Sequence, residues 1–210
     1  MPSAVRTVTQ RALRDAAQFV ITEETLLGHL TATPELLRDP QRLAPLEAAI
    51  KATLAQGAPL PANIRSSAVP VLGNIAEAII ESTLADLGWQ PVYDDDKGFS
   101  SGHGIDLLML DPTLERLVAI EVKSTIQPRR WPRLARGRSE QLTPEWLDGP
   151  SNTGMFDSAV SSADVYMMAA QIHLGRRKWR CCLAGDPSQP QPVTEEGQLM
   201  NLDWVAPNST

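Results

Sequence analysis

The stretch "GHGIDLLMLDPTLERLVAIEVKST", residues 102–125, constrains the fold of this chain more than any other. Two apolar runs, "IDLLML" and "LVAIEVKS", flank a turn, which is the pattern of a β-hairpin. Strands this apolar are usually covered on both faces. Yet the first run carries Asp106 and the second carries Glu121 and Lys123. Buried charge is expensive unless it is paired or holds a metal. With a loop over 111–116, Leu110 faces Leu117, Leu108 faces Ala119 and Asp106 faces Glu121. Directly opposed residues share a sheet face, with Cβ atoms about 4.5–5.5 Å apart. Lys123, two residues past Glu121, shares that face. The other face takes Leu107 with Ile120, Met109 with Val118, and Ile105 with Val122. All three charges therefore gather on one face, at the open end of the hairpin, and a slip of one residue would scatter them.

Two carboxylates at that separation repel. A hard divalent cation, which prefers oxygen ligands, removes the conflict; so does an adjacent ammonium. The charge pattern alone leaves both open: a metal site, or a structural Asp–Lys–Glu cluster near a sheet edge.

The surrounding sequence frames this hairpin. The stretch "VLGNIAEAIIESTLADLGW" repeats apolar residues at three and four positions (Leu72, Ile75, Ala76, Ile79, Ile80, Thr83, Leu84, Leu87), which predicts an amphipathic helix stopped by Gly88. "WQPVYDD" predicts a short strand. After the hairpin, "LTPEWLDG" predicts a short helix with Thr143 as N-cap and Pro144 in the first turn. "MFDSAVSSADVYMMAAQIHLG" predicts a longer helix ending at Gly175, and "KWRCCLAG" a strand. Upstream, "TVTQRALRDAAQFV", "EETLLGHL" behind Thr22, and "PLEAAIKATLAQG" read as helices. "GAPLPANIRSSAVP", with three prolines, reads as a linker or loop. The order from about residue 70 predicts an α/β layer architecture.

Charge narrows the function classes. The net charge of −6 does not advertise a nucleic-acid binder. The distribution is more telling: "KSTIQPRRWPRLARGR", residues 123–138, holds six Lys/Arg and no acid, and a local basic stripe acts even on an acidic protein. Trp131, among these arginines, is suited either to stacking on a base or to core packing. Cys181 and Cys182 are neighbours and form no disulfide framework or zinc knuckle. The histidines at 29, 103 and 173 have no metal-ligand spacing, and the acids at 94–96 read as a solvated loop. "RRKWR" at 176–180 reads as a solvated helix end that can also flank a groove. No apolar run approaches the ~20 residues of a membrane span. The expectation is a cytoplasmic protein with no membrane partner.

"GHGIDLLMLD" followed by "AIEVKST" resembles the motif of the PD-(D/E)XK nuclease superfamily, the restriction-endonuclease-like fold, with Asp106, Glu121 and Lys123 at the motif positions. Ile105 stands where a proline usually precedes the first acid. The resemblance covers about residues 72–183. It implies an α/β core with a mixed central sheet flanked by helices, over 61–185. Residues 1–60 would form an N-terminal helical region and 186–210 a C-terminal tail that can pack on the core. "EQLTPEWLDG" is similar to a Gln-x-(Ser/Thr)-x-x-Trp pattern in nuclease domains of bacterial polymorphic toxins, carried here by Gln141, Thr143 and Trp146. For Gln141 a catalytic role stands beside a capped helix with a packed tryptophan.

What the resemblance implies is a metal-dependent endonuclease. Asp106, Glu121 and the Val122 carbonyl would bind Mg²⁺ or Mn²⁺, and Lys123 would position or activate water. A glutamate of the upstream helix is often a further ligand. The helical wheel places Glu77 at the margin of the apolar stripe and Glu81 about 40° nearer to water, so Glu77 is assigned. The rival for Glu77 is a capping box with Asn74 as N-cap. DNA is favoured over RNA, with Arg129, Arg130, Trp131, Arg133, Arg136 and Arg138 as contacts. A homodimer and an immunity or other partner protein are compatible with this reading. So are toxin, defence and repair roles. The alternative is a non-catalytic nucleic-acid-binding or interaction module that keeps the fold; the intact Asp106, Glu121 and Lys123 set argues against it.

Overall fold

A computed structural model of the chain describes residues 40–56, 59–92, 104–112, 115–127, 142, 144–149 and 165–183, together with Glu24, Gly28, Pro132 and Asn152. Its elements are α1 (Pro40–Gln56), α2 (Ala62–Asp86), β1 (Gln90–Pro91), β2 (Leu107–Asp111), β3 (Arg116–Thr125), the single-turn α3 (Pro144–Leu147), β4 (Tyr166–His173) and β5 (Lys178–Leu183). A 3₁₀ turn, Leu174–Arg176, joins β4 to β5. The described fold is mixed α/β: one five-stranded sheet in the order β1-β2-β3-β4-β5, with helices.

The hairpin forms as the apolar pattern dictates. Leu107 pairs with Ile120, Leu108 with Ala119, Met109 with Val118 and Leu110 with Leu117. Pairing runs one step further than the loop over 111–116 allows, because Asp111 also pairs with Arg116. At the open end it stops short: Ile105 and Asp106 precede β2 rather than belonging to it.

β3 and β4 run parallel, in register from Val118 with Tyr166 to Thr125 with His173. This overturns the helix expected to end at Gly175. Residues 167–173 are all buried, as a strand enclosed in the sheet between β3 and β5 requires. A continuous apolar run of that kind has no period by which to tell strand from buried helix. The glycine at 175 serves close approach instead of helix termination. A Cβ there would lie 2.6 Å from the Ile126 carbonyl oxygen.

α2 buries Ala68, Leu72, Ile75, Ala76, Ile79, Ile80 and Leu84. These lie at helical spacing and pack with Leu107, Met109, Val118, Ile120, Val122, Met168, Ala170, Ile172 and Trp179 of the sheet. Fully burying a Leu or Ile contributes about 1.5–3 kcal/mol, so this face supplies on the order of 10 kcal/mol before the loss of chain entropy. Leu46 and Ile50 of α1 join the same cluster. By length and composition α2 could cross a membrane; here its apolar stripe lies on the sheet.

α2 also corrects the linker expectation. It starts at Ala62, with the Pro61 carbonyl accepting from Ile64 N (3.1 Å) and Arg65 N (3.0 Å), and Pro70 lies inside it on an exposed side. Asn74 is therefore mid-helix, which removes the capping-box reading of Glu77. At its end Gly88 takes φ +88°. Gly88 N donates to Ala85 O (2.8 Å) and Trp89 N to Leu84 O (3.0 Å). This is the Schellman arrangement, with the apolar contact expected between the residues at its two ends, Trp89 and Leu84, both in the core. It turns the chain from helix into β1. The opposite sheet face is buried as well: Leu108, Ala119, Met167 and Ala169 are each at most 2% exposed.

Candidate functional site

The charged cluster sits where β2 begins and β3 approaches its end. Asp106 is held there by the main chain, its Oδ2 accepting from Val122 N at 2.6 Å. Just before it, Ile105 N donates to Asn152 Oδ1 (2.9 Å), and Asn152 Nδ2 donates to the Trp146 carbonyl (2.6 Å). Asn152 is 2% exposed, so it forms a buried clamp between the end of α3 and the residue preceding Asp106. Neither Asn152 nor its role is visible in the sequence, because Ile105, the partner that ties it to the site, lies 47 residues away along the chain.

Glu121 is buried and ion-paired through Oε1 to Lys123 Nζ. Lys123 also reaches the Val122 carbonyl at 3.4 Å. The Asp106 carboxyl lies within electrostatic reach of Glu121 and Lys123. Burial pushes the Asp106 carboxyl up from its ordinary range, while Lys123 and the Val122 amide oppose the rise.

Glu77 on α2 belongs to the same electrostatic group. Its carboxyl is pushed up to about 7, first by burial and then by the Asp106 carboxylate, with Lys123 pulling the other way. The structure thus brings together Glu77, Asp106, Glu121, Lys123 and the Val122 carbonyl. It places Trp146 in α3, 4% exposed, with its carbonyl in the Asn152 clamp. Gln141, Thr143, His29, His103, the acids at 94–96, Arg129, Arg130, Trp131, Arg133, Arg136 and Arg138 lie outside the described residues.

Two polar residues on β4 were missed. Gln171, in register with Lys123, is 2% exposed, and its Nε2 donates to the Pro132 carbonyl at 2.7 Å. His173, in register with Thr125, accepts from Arg176 N through Nδ1 at 3.1 Å and so caps the 3₁₀ turn. Burial, then Arg176, lowers its pKa. Alternation along an identified β4 would have put both on the Glu121–Lys123 face; read as a helix, the segment hid them.

Among the described residues no three His, Cys, Asp or Glu side chains form a ready cage for a metal ion. Asp106 Oδ2 is held by the Val122 amide and Glu121 Oε1 by the Lys123 ammonium. The chemistry of the donor set nevertheless fits a hard divalent cation. All donors are oxygen, the acids outnumber the one lysine, and burial disfavours their full ionisation. Comparison with protein-family models, curated proteins and solved structures found no match.

Proposed function

We propose that this chain is a metal-dependent nuclease that hydrolyses phosphodiester bonds, in DNA rather than RNA, on a restriction-endonuclease-like core preceded by helices. The observation that carries the reading is the meeting of Asp106, Glu121 and Lys123 at one end of the β2–β3 hairpin, with Glu77 within their electrostatic reach. Mg²⁺ or Mn²⁺ would be held by Asp106, Glu121, Glu77 and the Val122 carbonyl. Such a cation supplies Lewis acidity, neutralising phosphate charge and acidifying water beside it. The chain's own residues do the rest. Asp106 is fixed by the Val122 amide, so its carboxylate does not swing away as charge changes. The Lys123 ammonium, 24% exposed, is placed to orient water and to complement the negative charge that builds on a phosphate under attack. Glu77, pushed up to about 7 in the metal-free chain, would ionise on binding the cation. Gln141, Arg129, Arg130, Trp131, Arg133, Arg136 and Arg138 are proposed contacts to the nucleic acid.

A second reading is a nucleic-acid-binding or interaction module that keeps the fold without catalysis. One experiment separates the two. Purified protein is incubated with DNA and RNA panels in Mg²⁺, Mn²⁺ or EDTA, beside Asp106→Asn. Cleavage that needs metal and disappears in Asp106→Asn supports the nuclease. Binding without cleavage under every condition supports the module.

A further inference from the structure

The main chain that carries Asp106 lies beyond the reach of the sheet. β2 begins at Leu107, and its ladder to β3 starts with Leu107 opposite Ile120, so no ladder bond fixes Ile105 or Asp106. Asn152 takes that place. Its Oδ1 accepts from Ile105 N at 2.9 Å, and its Nδ2 donates to the Trp146 carbonyl at 2.6 Å. One planar amide thus joins α3 to the residue before Asp106.

Three observations make this more than a packing detail. Asn152 is 2% exposed, so either bond, if unmade, leaves a desolvated polar group. The amide is itself braced: Asn152 N donates to the Gly149 carbonyl at 2.9 Å, and Gly149 N to the Trp146 carbonyl at 3.1 Å. The turn also closes tightly on that carbonyl, because a Cβ at Gly149 would lie 3.0 Å from Trp146 O. At the other end of the amide, Ile105 is buried. Asp106 is the next residue, with Oδ2 on Val122 N at 2.6 Å, so a shift at Ile105 passes directly to the carboxylate.

We infer that Asn152 is a positioning residue: its side-chain amide ties the end of α3 to the main chain at Ile105, and the seat of Asp106 on the Val122 amide depends on that tie. The consequence for metal binding rests on the nuclease reading; the tie itself does not. Loss of a group that orients a metal ligand from behind typically weakens metal affinity by about 10–100-fold.

The test has two arms, using full-length protein. The first is hydrogen exchange of the metal-free protein, read amide by amide. Asn152→Leu is close in shape and can make neither bond. It should speed exchange at Ile105 and Val122 about fivefold more than at Ile120, the change in open population expected from losing one buried hydrogen bond. Ile120 lies in the core of the sheet and reports global unfolding. Asn152→Ser, smaller and easier to accommodate, carries the same expectation where Asn152→Leu does not fold. The second arm titrates Mn²⁺ without nucleic acid. The Asn152 variant should bind Mn²⁺ at least about tenfold more weakly than wild type. Adding Asp106→Asn should weaken it less than Asp106→Asn does in wild type, because both act through one carboxylate. Equal acceleration at Ile105, Val122 and Ile120, or none, overturns the tie. Selective acceleration with unchanged Mn²⁺ affinity, or with additive losses, overturns the positioning of Asp106 for metal. Selective acceleration in a protein whose wild type binds no Mn²⁺ supports the tie and overturns the metal-dependent reading instead.

Discussion

The two faces of the sheet are both buried, but they are buried differently. The face under α2 is apolar throughout its central rows: Met109, Val118, Ile120, Met168, Ala170 and Ile172 are fully buried. The opposite face starts apolar, with Ala119 beside Met167, and then carries Glu121, Lys123, Gln171 and His173 on adjacent strands. The first is what hydrophobic stabilisation alone would produce. The second burdens the fold with desolvated charge, since replacing a buried ion pair by apolar residues is often neutral or stabilising. The contrast teaches that one face holds the molecule together and the other is held in spite of its cost. Substitutions on the two faces should therefore separate stability from activity.

The largest separation is expected at Asp106. Asp106→Asn keeps the shape and can still accept from Val122 N, so melting temperature should hold or rise. Metal-dependent cleavage should fall by more than about a hundredfold, the scale on which a single transition-state electrostatic contact acts. Retained cleavage by the folded variant, free of contaminating nuclease, breaks both the comparison and the proposed mechanism. Its counterpart on the other face is Ile120→Ala. It should lower stability by about 2–5 kcal/mol in denaturant titration, with activity per folded molecule unchanged.

Lys123→Ala sits between these extremes. It leaves the Glu121 carboxyl buried without its ammonium, at a cost of up to about 3 kcal/mol, and it should also reduce turnover more than metal affinity. Adding Glu121→Gln should restore most of the stability and none of the activity. If stability is not restored, the Glu121–Lys123 pair is not what Lys123 contributes to the fold.

The smallest effects concern pH. Glu77 has a folded pKa near 7 against 4.5 for the free group, and Asp106 is raised as well. A raised carboxyl binds protons more readily in the folded state, so its stabilising contribution is full below about 4.5 and is lost as pH rises toward 7. His173 acts in the opposite sense, because its depressed pKa makes acidification below its usual 6.5 destabilising. The melting temperature of the metal-free protein should change little from pH 7 to pH 5, while Glu77→Gln should fall steadily over that range. Mg²⁺ should raise the melting temperature of the wild type at pH 7.5 and lose that effect at pH 5. At limiting Mg²⁺, cleavage should suffer in Glu77→Gln and not in Glu81→Gln; the reverse moves the assignment by one helical turn.

The apolar face and the β2–β3 register could be read in the sequence because two apolar runs joined by one short turn admit few registers. The paired register ends at Leu107 with Ile120, so Asp106 reaches β3 through the Val122 amide and not as the ladder partner of Glu121. What could not be read has physical reasons. "YMMAAQIH" combines helix-favouring Met, Ala and Gln with unbroken burial, so neither propensity nor period reveals β4. Pro61 and Pro70 suggest a linker, but Pro61 precedes the first helical turn and Pro70 is exposed within the helix, where tertiary packing overrides propensity. Asn152 and Gln171 act through partners distant in the chain, which no local pattern records.

The parallel pairing of β3 with β4 has a consequence for how the chain becomes functional in time. The β2–β3 hairpin needs only local closure, but Val118 finds Tyr166 only after the whole intervening connection has been made, and such long-range closure is slow. The acids are therefore brought together early, on a hairpin whose β3 edge is still unpaired, and an unpaired apolar edge invites association with other chains. In stopped-flow refolding, protection of amides in β2 and β3 should precede protection in β4. Refolding yield should fall as protein concentration rises, more steeply for variants that delay β4, such as Gly175→Val, than for Asp106→Asn. Simultaneous protection of all three strands would show that the sheet assembles in one step.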